Sequence, residues 1–570
     1  MQRIGWCERS PFFIEKDPVM SNNRKQSSAS FVGRDRKRQV RRLLLETLER
    51  RECMAVDFTF AGGILNIIGD RGPNDIEIIW TQVGVQATGD GEQHTFEGVD
   101  EVFVVTGDGD DVIQARGLPN EQVRDIHLDQ VTNTLRINSG PGNDKIKIRD
   151  GKPSETQRAE QARQITIVQD LGTGDDDFDM RLRHQDLVNL DLRASDGGDV
   201  IYVGTTNGGI WRTTDQGRRW LLSFELRGGD NLVDVSTKGV NEVDLMITAT
   251  TPVSRGDRPT ESLAFNFTKV DLKNVGAPSS NEHFSVNLDL AESGVINIRD
   301  SLALGPVLTI HTGDGPDSLS IATKNVGDLE LVVDTGRGND TLVVDAQTTQ
   351  PYGGIPGGIQ VAAGDIRGVV NLGEGNDVAD IKIKGYSHVS LGLTAGAGND
   401  SVKFKPLFAV LVGDLDGRAR LNISALLGAG NDRLSIDGDG YREVTSYIDA
   451  GAGNDEIRYR MFAIVDRTQP HVGSARLNFF AELGAGSDFL DLETFAYRDF
   501  QTTIFRGPAG DGRDTVVTRH VAPSRGRVSG IRLRLDGGRD TGDFSAKGYD
   551  THSVQQIGDT GTHEVGHWFG

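Results

Sequence analysis

One turn sequence recurs along this chain and limits what it can fold into: two glycines flank a single residue, an aspartate follows two positions later, and alternating apolar residues come next. Well-formed copies are Gly107-Asp-Gly-Asp-Asp111, Gly140-Pro-Gly-Asn-Asp144, Gly172-Thr-Gly-Asp-Asp176, Gly313-Asp-Gly-Pro-Asp317, Gly336-Arg-Gly-Asn-Asp340 and Gly373-Glu-Gly-Asn-Asp377. They continue as Gly396-Ala-Gly-Asn-Asp400, Gly428-Ala-Gly-Asn-Asp432, Gly451-Ala-Gly-Asn-Asp455, Gly484-Ala-Gly-Ser-Asp488 and Gly510-Asp-Gly-Arg-Asp514. Weaker copies end at Asp75, Asp199, Asp230 and Asp540. A motif repeated at this interval is the signature of a repeat architecture. The flanking segments alternate apolar and polar residues, as in Lys145-Ile-Lys-Ile148 and Leu421-Asn-Ile-Ser-Ala-Leu-Leu427, so each strand has one buried and one wet face.

The terminal aspartates are spaced 36, 33, 32, 23 and 31 residues apart from Asp75 to Asp230, and 23, 37, 23, 32, 23, 33, 26 and 26 from Asp317 to Asp540. The interval of 87 between Asp230 and Asp317 equals 32, 32 and 23 together. It places degenerate units at Glu261–Phe265 and Ser293–Asn297, so the array is expected to run unbroken from 56 to 545, with its turns eroded over about 231–300. The expected fold is all-β, an elongated array of β-solenoid or β-roll type. Because rungs of constant length would repeat at a constant interval, the alternation of 23 with 31–37 suggests a unit of two unequal segments. A stack of hairpins or sandwiches is the alternative.

Composition agrees with many short strands and tight turns: 72 of 570 residues are glycine, and only 36% are hydrophobic. The net charge of −22 is unevenly placed. Residues 1–55 hold 13 Lys and Arg against 7 Asp and Glu, leaving 48 against 76, a net of −28, for the rest. That balance argues against nucleic-acid binding and favours bound cations. The cysteines, Cys7 and Cys53, both lie in the basic leader, so no disulfide framework is expected in the array. No apolar run approaches the length of a membrane span.

The turn glycines permit positive φ, and a tight turn points carbonyl oxygens inward beside the aspartate carboxylate, which suits the hard oxygen shell of calcium. The motif resembles the Gly-Gly-x-Gly-x-Asp-apolar-x repeat of the hemolysin-type (RTX) calcium-binding proteins. That resemblance implies calcium at Asp111, Asp144, Asp176, Asp317, Asp340, Asp377, Asp400, Asp432, Asp455, Asp488 and Asp514. The family stacks nonapeptides in tandem, whereas these copies lie 23–37 residues apart, so completion of each site depends on how the turns stack. The same sequence is also simply a good tight turn.

Three further segments stand apart. Residues 1–55 read as a basic targeting leader: the Leu-Glu-x-Arg-Arg string that ends in Met54-Ala55 resembles leader segments of secreted planctomycete proteins. Within 201–220, Thr213-Thr-Asp215-Gln-Gly217-Arg-Arg-Trp220 resembles the Asp-box hairpin of sialidase-like propellers, here as a single structural hairpin. The tail, 546–570, ends in Thr562-His-Glu-Val-Gly-His-Trp-Phe-Gly570 and resembles the zinc helix of pappalysin-type metzincins. On a helix His563 and His567 could share zinc, with Glu564 as the catalytic base. The third histidine of that family is absent, which leaves the site incomplete.

The expected function is therefore a secreted or cell-surface calcium-binding β-repeat protein with a structural or adhesive role, meeting extracellular polysaccharide or surface proteins. The alternative is the non-catalytic N-terminal part of a truncated His-Glu-x-x-His zinc metalloprotease. A polysaccharide-cleaving β-helix enzyme would need a convergent carboxylate pair, and the sequence singles none out.

Overall fold

The computed structural model describes residues 2–3, 56–81, 84–118, 133–150, 164–182, 187–194, 199–205, 219–227, 232–238, 242–250, 267–273, 284–290, 293–299, 307–312, 315–348 apart from 325 and 327, 364–408, 419–463, 475–505 apart from 498, 512–534, 541–549, 554–557 and 565–568. Among them every regular element is a strand. No helix is long and apolar enough to cross a membrane.

The chain is an all-β solenoid built from two parallel sheets. Through most of the array, from Glu101–Val105 to Asp499–Phe505, each strand pairs in parallel with the strand two elements further along, so consecutive strands fall alternately in the two sheets. In the first sheet Asp365–Asn371 pairs with His388–Ala397, which pairs with Arg420–Ala429 and then Glu443–Asp449. In the second, Val378–Lys384 pairs with Ser401–Leu407, then Arg433–Asp439 and Glu456–Phe462. A rung is therefore one strand of the first sheet, a Gly-x-Gly-x-Asp turn, one strand of the second sheet, and a return. The alternation in sequence becomes alternation in burial. Leu421, Ile423, Ala425 and Leu427 face inward from one strand, and Leu434 and Ile436 meet them from the next. Each fully buried side chain of this kind contributes about 1.5–3 kcal/mol. One continuous narrow core results.

The outward faces carry charge in register across neighbouring strands. Arg420 meets Glu443 at 2.8 Å, Arg476 meets Asp499 at 3.5 Å, and Arg460 meets Glu493 at 3.4 Å. Such exposed pairs contribute little stability, about 0–1 kcal/mol each, but they hold neighbouring strands to one register. At the N-terminal end of the array each sheet begins with antiparallel pairing. Asp57–Ala61 lies against Ile64–Ile68, and Gly84–Gly89 lies between Asp75–Thr81 and Glu92–Phe96. Both first strands thus have their outer edges paired instead of open.

The unequal spacing has a different origin from the one the sequence suggested. Among the described residues each step is one complete rung, and the turn falls on the same edge. The length difference lies in the return: 385–387 and 440–442 are short, whereas 348–364, 408–419 and 463–475 are long. In the short returns a residue at positive φ, Gly385 (88°), Gly440 (97°) or Ala496 (69°), precedes a completely buried tyrosine. The hydroxyls of Tyr386, Tyr441 and Tyr497 donate to the carbonyls of Val326, Tyr386 and Tyr441, at 3.4, 3.3 and 3.1 Å. These tyrosines link returns two rungs apart and satisfy their own buried hydroxyls.

The array is continuous through the eroded middle, where Val200–Thr205, Leu232–Lys238, Phe267–Lys273, Ser293–Arg299 and Ser318–Lys324 pair in turn. The position of the degenerate units needs correction. Ser293–Asn297 is the body of a strand, not a turn, and Glu261–Phe265 lies outside the described residues.

Candidate metal site

Two constraints fix the glycines of the turn. Gly396 and Gly398 sit at φ 106° and 144°, where L side chains are strained. In addition, a Cβ on either would overlap the carbonyl oxygen of Gly373 or Gly375, one rung below. The turns stack backbone on backbone. The Gly375 amide donates to the Ala397 carbonyl at 2.7 Å, and the Ala397 amide donates back to the Gly373 carbonyl at 3.1 Å.

Stacking lines up the side chains that follow. The residue after the second glycine forms an exposed ladder. The Asn376 amide and its side-chain Nδ2 both donate to Asn339 Oδ1 (2.8 and 3.1 Å), and Asn399, Asn431 and Asn454 repeat the pattern. The aspartate turns inward. All eleven aspartates predicted from the sequence lie in one buried row, each 4% exposed or less.

Within the row, Oδ1 of one aspartate accepts the backbone amide of the aspartate one rung earlier. Asp111 donates to Asp144, Asp144 to Asp176, Asp340 to Asp377, Asp377 to Asp400, Asp400 to Asp432, and Asp432 to Asp455, all at 2.7–2.8 Å. The second oxygen, Oδ2, of Asp111, Asp144, Asp176, Asp340, Asp377, Asp400, Asp432 and Asp455 is buried without a hydrogen-bond partner.

Of the weaker copies, one proves a full member of the row and another is displaced by one residue. Asp199 is a full member, accepting the Asp176 amide at 3.1 Å. The first position is held by Asn74, not Asp75. Asp75 pairs opposite Val112, and the Asn74 amide and Nδ2 donate to Asp111 Oδ1 at 2.7 and 3.0 Å. A search for terminal aspartates passes over an asparagine, although Pro73-Asn74 just ahead of a strand was the available signal. Asp230 and Asp540 lie outside the described residues.

Burial gives the row unusual electrostatics. Removal from water raises Asp144 to about 7, Asp176 to about 8, and Asp377, Asp400, Asp432 and Asp455 to about 6. The amide each one accepts opposes that rise, and at Asp144, Asp176 and Asp377 the neighbouring carboxylates add to it. At the ~4.8 Å spacing of adjacent strands, two ionised carboxylates repel by about 3 kcal/mol at an effective dielectric of ~20.

A hard cation fits this donor chemistry, since Asp111, Asp144, Asp176, Asp340, Asp377, Asp400, Asp432 and Asp455 each offer a buried carboxylate oxygen with no hydrogen-bond partner. Among the described residues no three His, Cys, Asp or Glu side chains converge on one point. Backbone carbonyls of the turns would therefore have to complete the six to eight oxygens that calcium takes.

The other predicted sites fare differently. His563 and Glu564 lie outside the described residues. His567 lies in Val565–Trp568, a strand that pairs with Thr541–Tyr549 and sets His567 opposite Phe544, whereas the zinc reading needs a helix. The strands flanking the Asp-box-like string, Val200–Thr205 and Arg219–Arg227, pair in opposite sheets and make no hairpin with one another. Comparison with protein-family models, with curated proteins and with solved structures finds no match to this chain.

Proposed function

We propose that this chain is a calcium-binding β-solenoid with a structural or adhesive role outside the cell or on its surface. The observation that supports this reading is the buried carboxylate row, in which Asp144, Asp176, Asp377, Asp400, Asp432 and Asp455 each use one oxygen to hold a neighbouring rung and keep the other without a hydrogen-bond partner. Calcium would supply the countercharge there. Asp144 and Asp176 in the early rungs, and Asp377, Asp400, Asp432 and Asp455 in the later ones, would be its carboxylate ligands. The chain's own contribution is geometric. Stacked glycines bring the turns together, and each accepted amide fixes the carboxylate above it. With one or two carboxylates per ion, affinity should fall near the extracellular range, about 10⁻⁴–10⁻³ M. The protease alternative is not carried forward, because its motif falls partly in a strand.

Equilibrium dialysis of the full chain against labelled calcium tests the reading. Several ions bound per chain at low millimolar concentration, undiminished by equal magnesium, is the expected result. No binding up to ten millimolar would overturn it.

A further inference from the structure

On the outer face of the first sheet one line of residues runs across the strands in register. Val369 lies opposite Gly392, Gly392 opposite Ser424, Ser424 opposite Tyr447, and Tyr447 opposite Phe480. Large side chains stand at both ends of this line, and the two positions between them are small. Tyr447 and Phe480 stack face to face, with ring centroids 5.0 Å apart and planes 12° apart. Phe480 thus covers one face of the tyrosine, and the other face turns toward Ser424. Val369, 57% exposed, closes the far end. At the ~4.8 Å spacing of strands, these two walls stand about 14 Å apart, backbone to backbone. Exposed Ser390 and Asn422 line one side of the gap, and Thr394 and Leu426 line the other.

Gly392 is the informative member of the line. It sits mid-strand in His388–Ala397, where a glycine weakens the strand and leaves no side chain to pack. Neither constraint that fixes the turn glycines applies to it. It is not at positive φ, and a Cβ there would meet nothing nearer than the Gly368 carbonyl oxygen, at 3.8 Å. What it does is leave space, and a strand glycine of this kind marks the close approach of a ligand or of another backbone. We propose that the gap between Val369 and Tyr447 binds a neutral polysaccharide, with one sugar ring lying on the Ser424 side of the Tyr447 ring. A sugar ring carries C–H bonds on its faces and hydroxyls on its rim. The electron-rich face of an aromatic ring attracts the former. The amide of Asn422 and the hydroxyls of Ser390, Ser424 and Thr394 can both donate to the latter and accept from them. The charges beside the gap favour a neutral chain. They alternate in sign and pair with one another, Asp365 with His388 at 2.6 Å and Arg420 with Glu443 at 2.8 Å, on a protein whose net charge is −22. Such a site gives the adhesive role above its partner; it rests on that part of the reading and not on calcium.

Affinity electrophoresis of the full chain, in calcium, through gels containing galactomannan, hydroxyethylcellulose or carboxymethylcellulose tests the site, with thermal unfolding of each variant as the control for folding. At least one of the two neutral polymers should retard the chain, and anionic carboxymethylcellulose should not. Gly392→Val puts a side chain into the gap at a position where a strand favours one. Its thermal midpoint should be unchanged or higher while its affinity for the polymer falls about tenfold, a split that a purely structural glycine would not give. Tyr447→Ala should also cost about tenfold in affinity. Tyr202→Ala, on the other sheet beside Arg181, should cost nothing. If neither neutral polymer retards the chain, or if Gly392→Val and Tyr447→Ala bind as the parent does, the proposal falls, while calcium dialysis still tests the earlier reading. If Tyr447→Ala instead dissolves a dimer seen by sedimentation, the gap joins two copies of the chain and the proposal falls as well.

Discussion

Along one edge of the solenoid Gly375, Gly398 and Gly430 sit one above another, each at φ near 145° and each closed against the carbonyl of the rung below. Along the other edge the connection is 440–442 in one rung and 408–419 in the rung before it. The same two sheets are therefore joined by a turn of constant length and by a return of variable length. Contact explains the difference. At the turn edge, backbone meets backbone and buried carboxylates grip amides, so every residue is constrained by its neighbours above and below. At the return edge the connection varies in length, and the short returns 385–387 and 440–442 each carry a completely buried tyrosine.

The comparison is broken most severely by Gly428→Ala. It combines a strained positive φ with overlap of the Gly396 carbonyl, and a loss of about 4 kcal/mol is expected. Chemical denaturation checks it, and a loss under 1 kcal/mol would mean the turns do not stack as described. Tyr441→Ala tests whether the short returns are packed as firmly as the turns. Deleting a completely buried ring should cost about 3–4 kcal/mol. Tyr441→Phe removes only the hydroxyl that reaches the Tyr386 carbonyl and should cost about 1 kcal/mol.

A third prediction concerns pH without calcium. Asp144, Asp176, Asp377, Asp400, Asp432 and Asp455 have folded values raised to about 6–8, above the ordinary value near 3.9. A raised value means the folded state favours the protonated form. Their contribution to stability is thus complete below about pH 4 and lost as pH rises through 6–8. In EDTA the thermal midpoint should be higher at pH 5 than at pH 8.5, and the opposite order would count against a buried row. The smallest effect is expected on the permissive edge. Doubling the 408–419 return with Gly and Ser should cost only about 0.6 kcal/mol, measured by the same denaturation.

The sequence made some of this plain and hid the rest for physical reasons. Alternation such as Leu421-Asn-Ile-Ser reads directly as inward and outward faces. The eleven aspartates were legible because stacking backbone on backbone admits only glycine at two positions, which leaves a rigid local signature. The rung itself was not legible. The interval between aspartates adds a constant part to a variable one, and only the pairing shows that the variable part lies on the opposite edge. Tyr386, Tyr441 and Tyr497 were missed because their partners lie two rungs away, and a Gly-Tyr or Ala-Tyr pair carries no local turn signal of comparable strength. Asn74 was missed because the first position has only to donate, through its amide and Nδ2, to Asp111 Oδ1, a role that needs no carboxylate. At His567 a local motif that suggests a helix gave way to strand pairing with Thr541–Tyr549.

On the proposed calcium reading, buried carboxylates along the turn edge need a cation to hold the stack. Thermal unfolding of the full chain in EDTA, followed by a calcium titration with magnesium as control, tests it most directly. Each site filled a hundredfold above its dissociation constant adds about 2.7 kcal/mol. The account predicts a midpoint that climbs steeply with calcium and stays nearly flat with magnesium. A midpoint indifferent to both ions would contradict it.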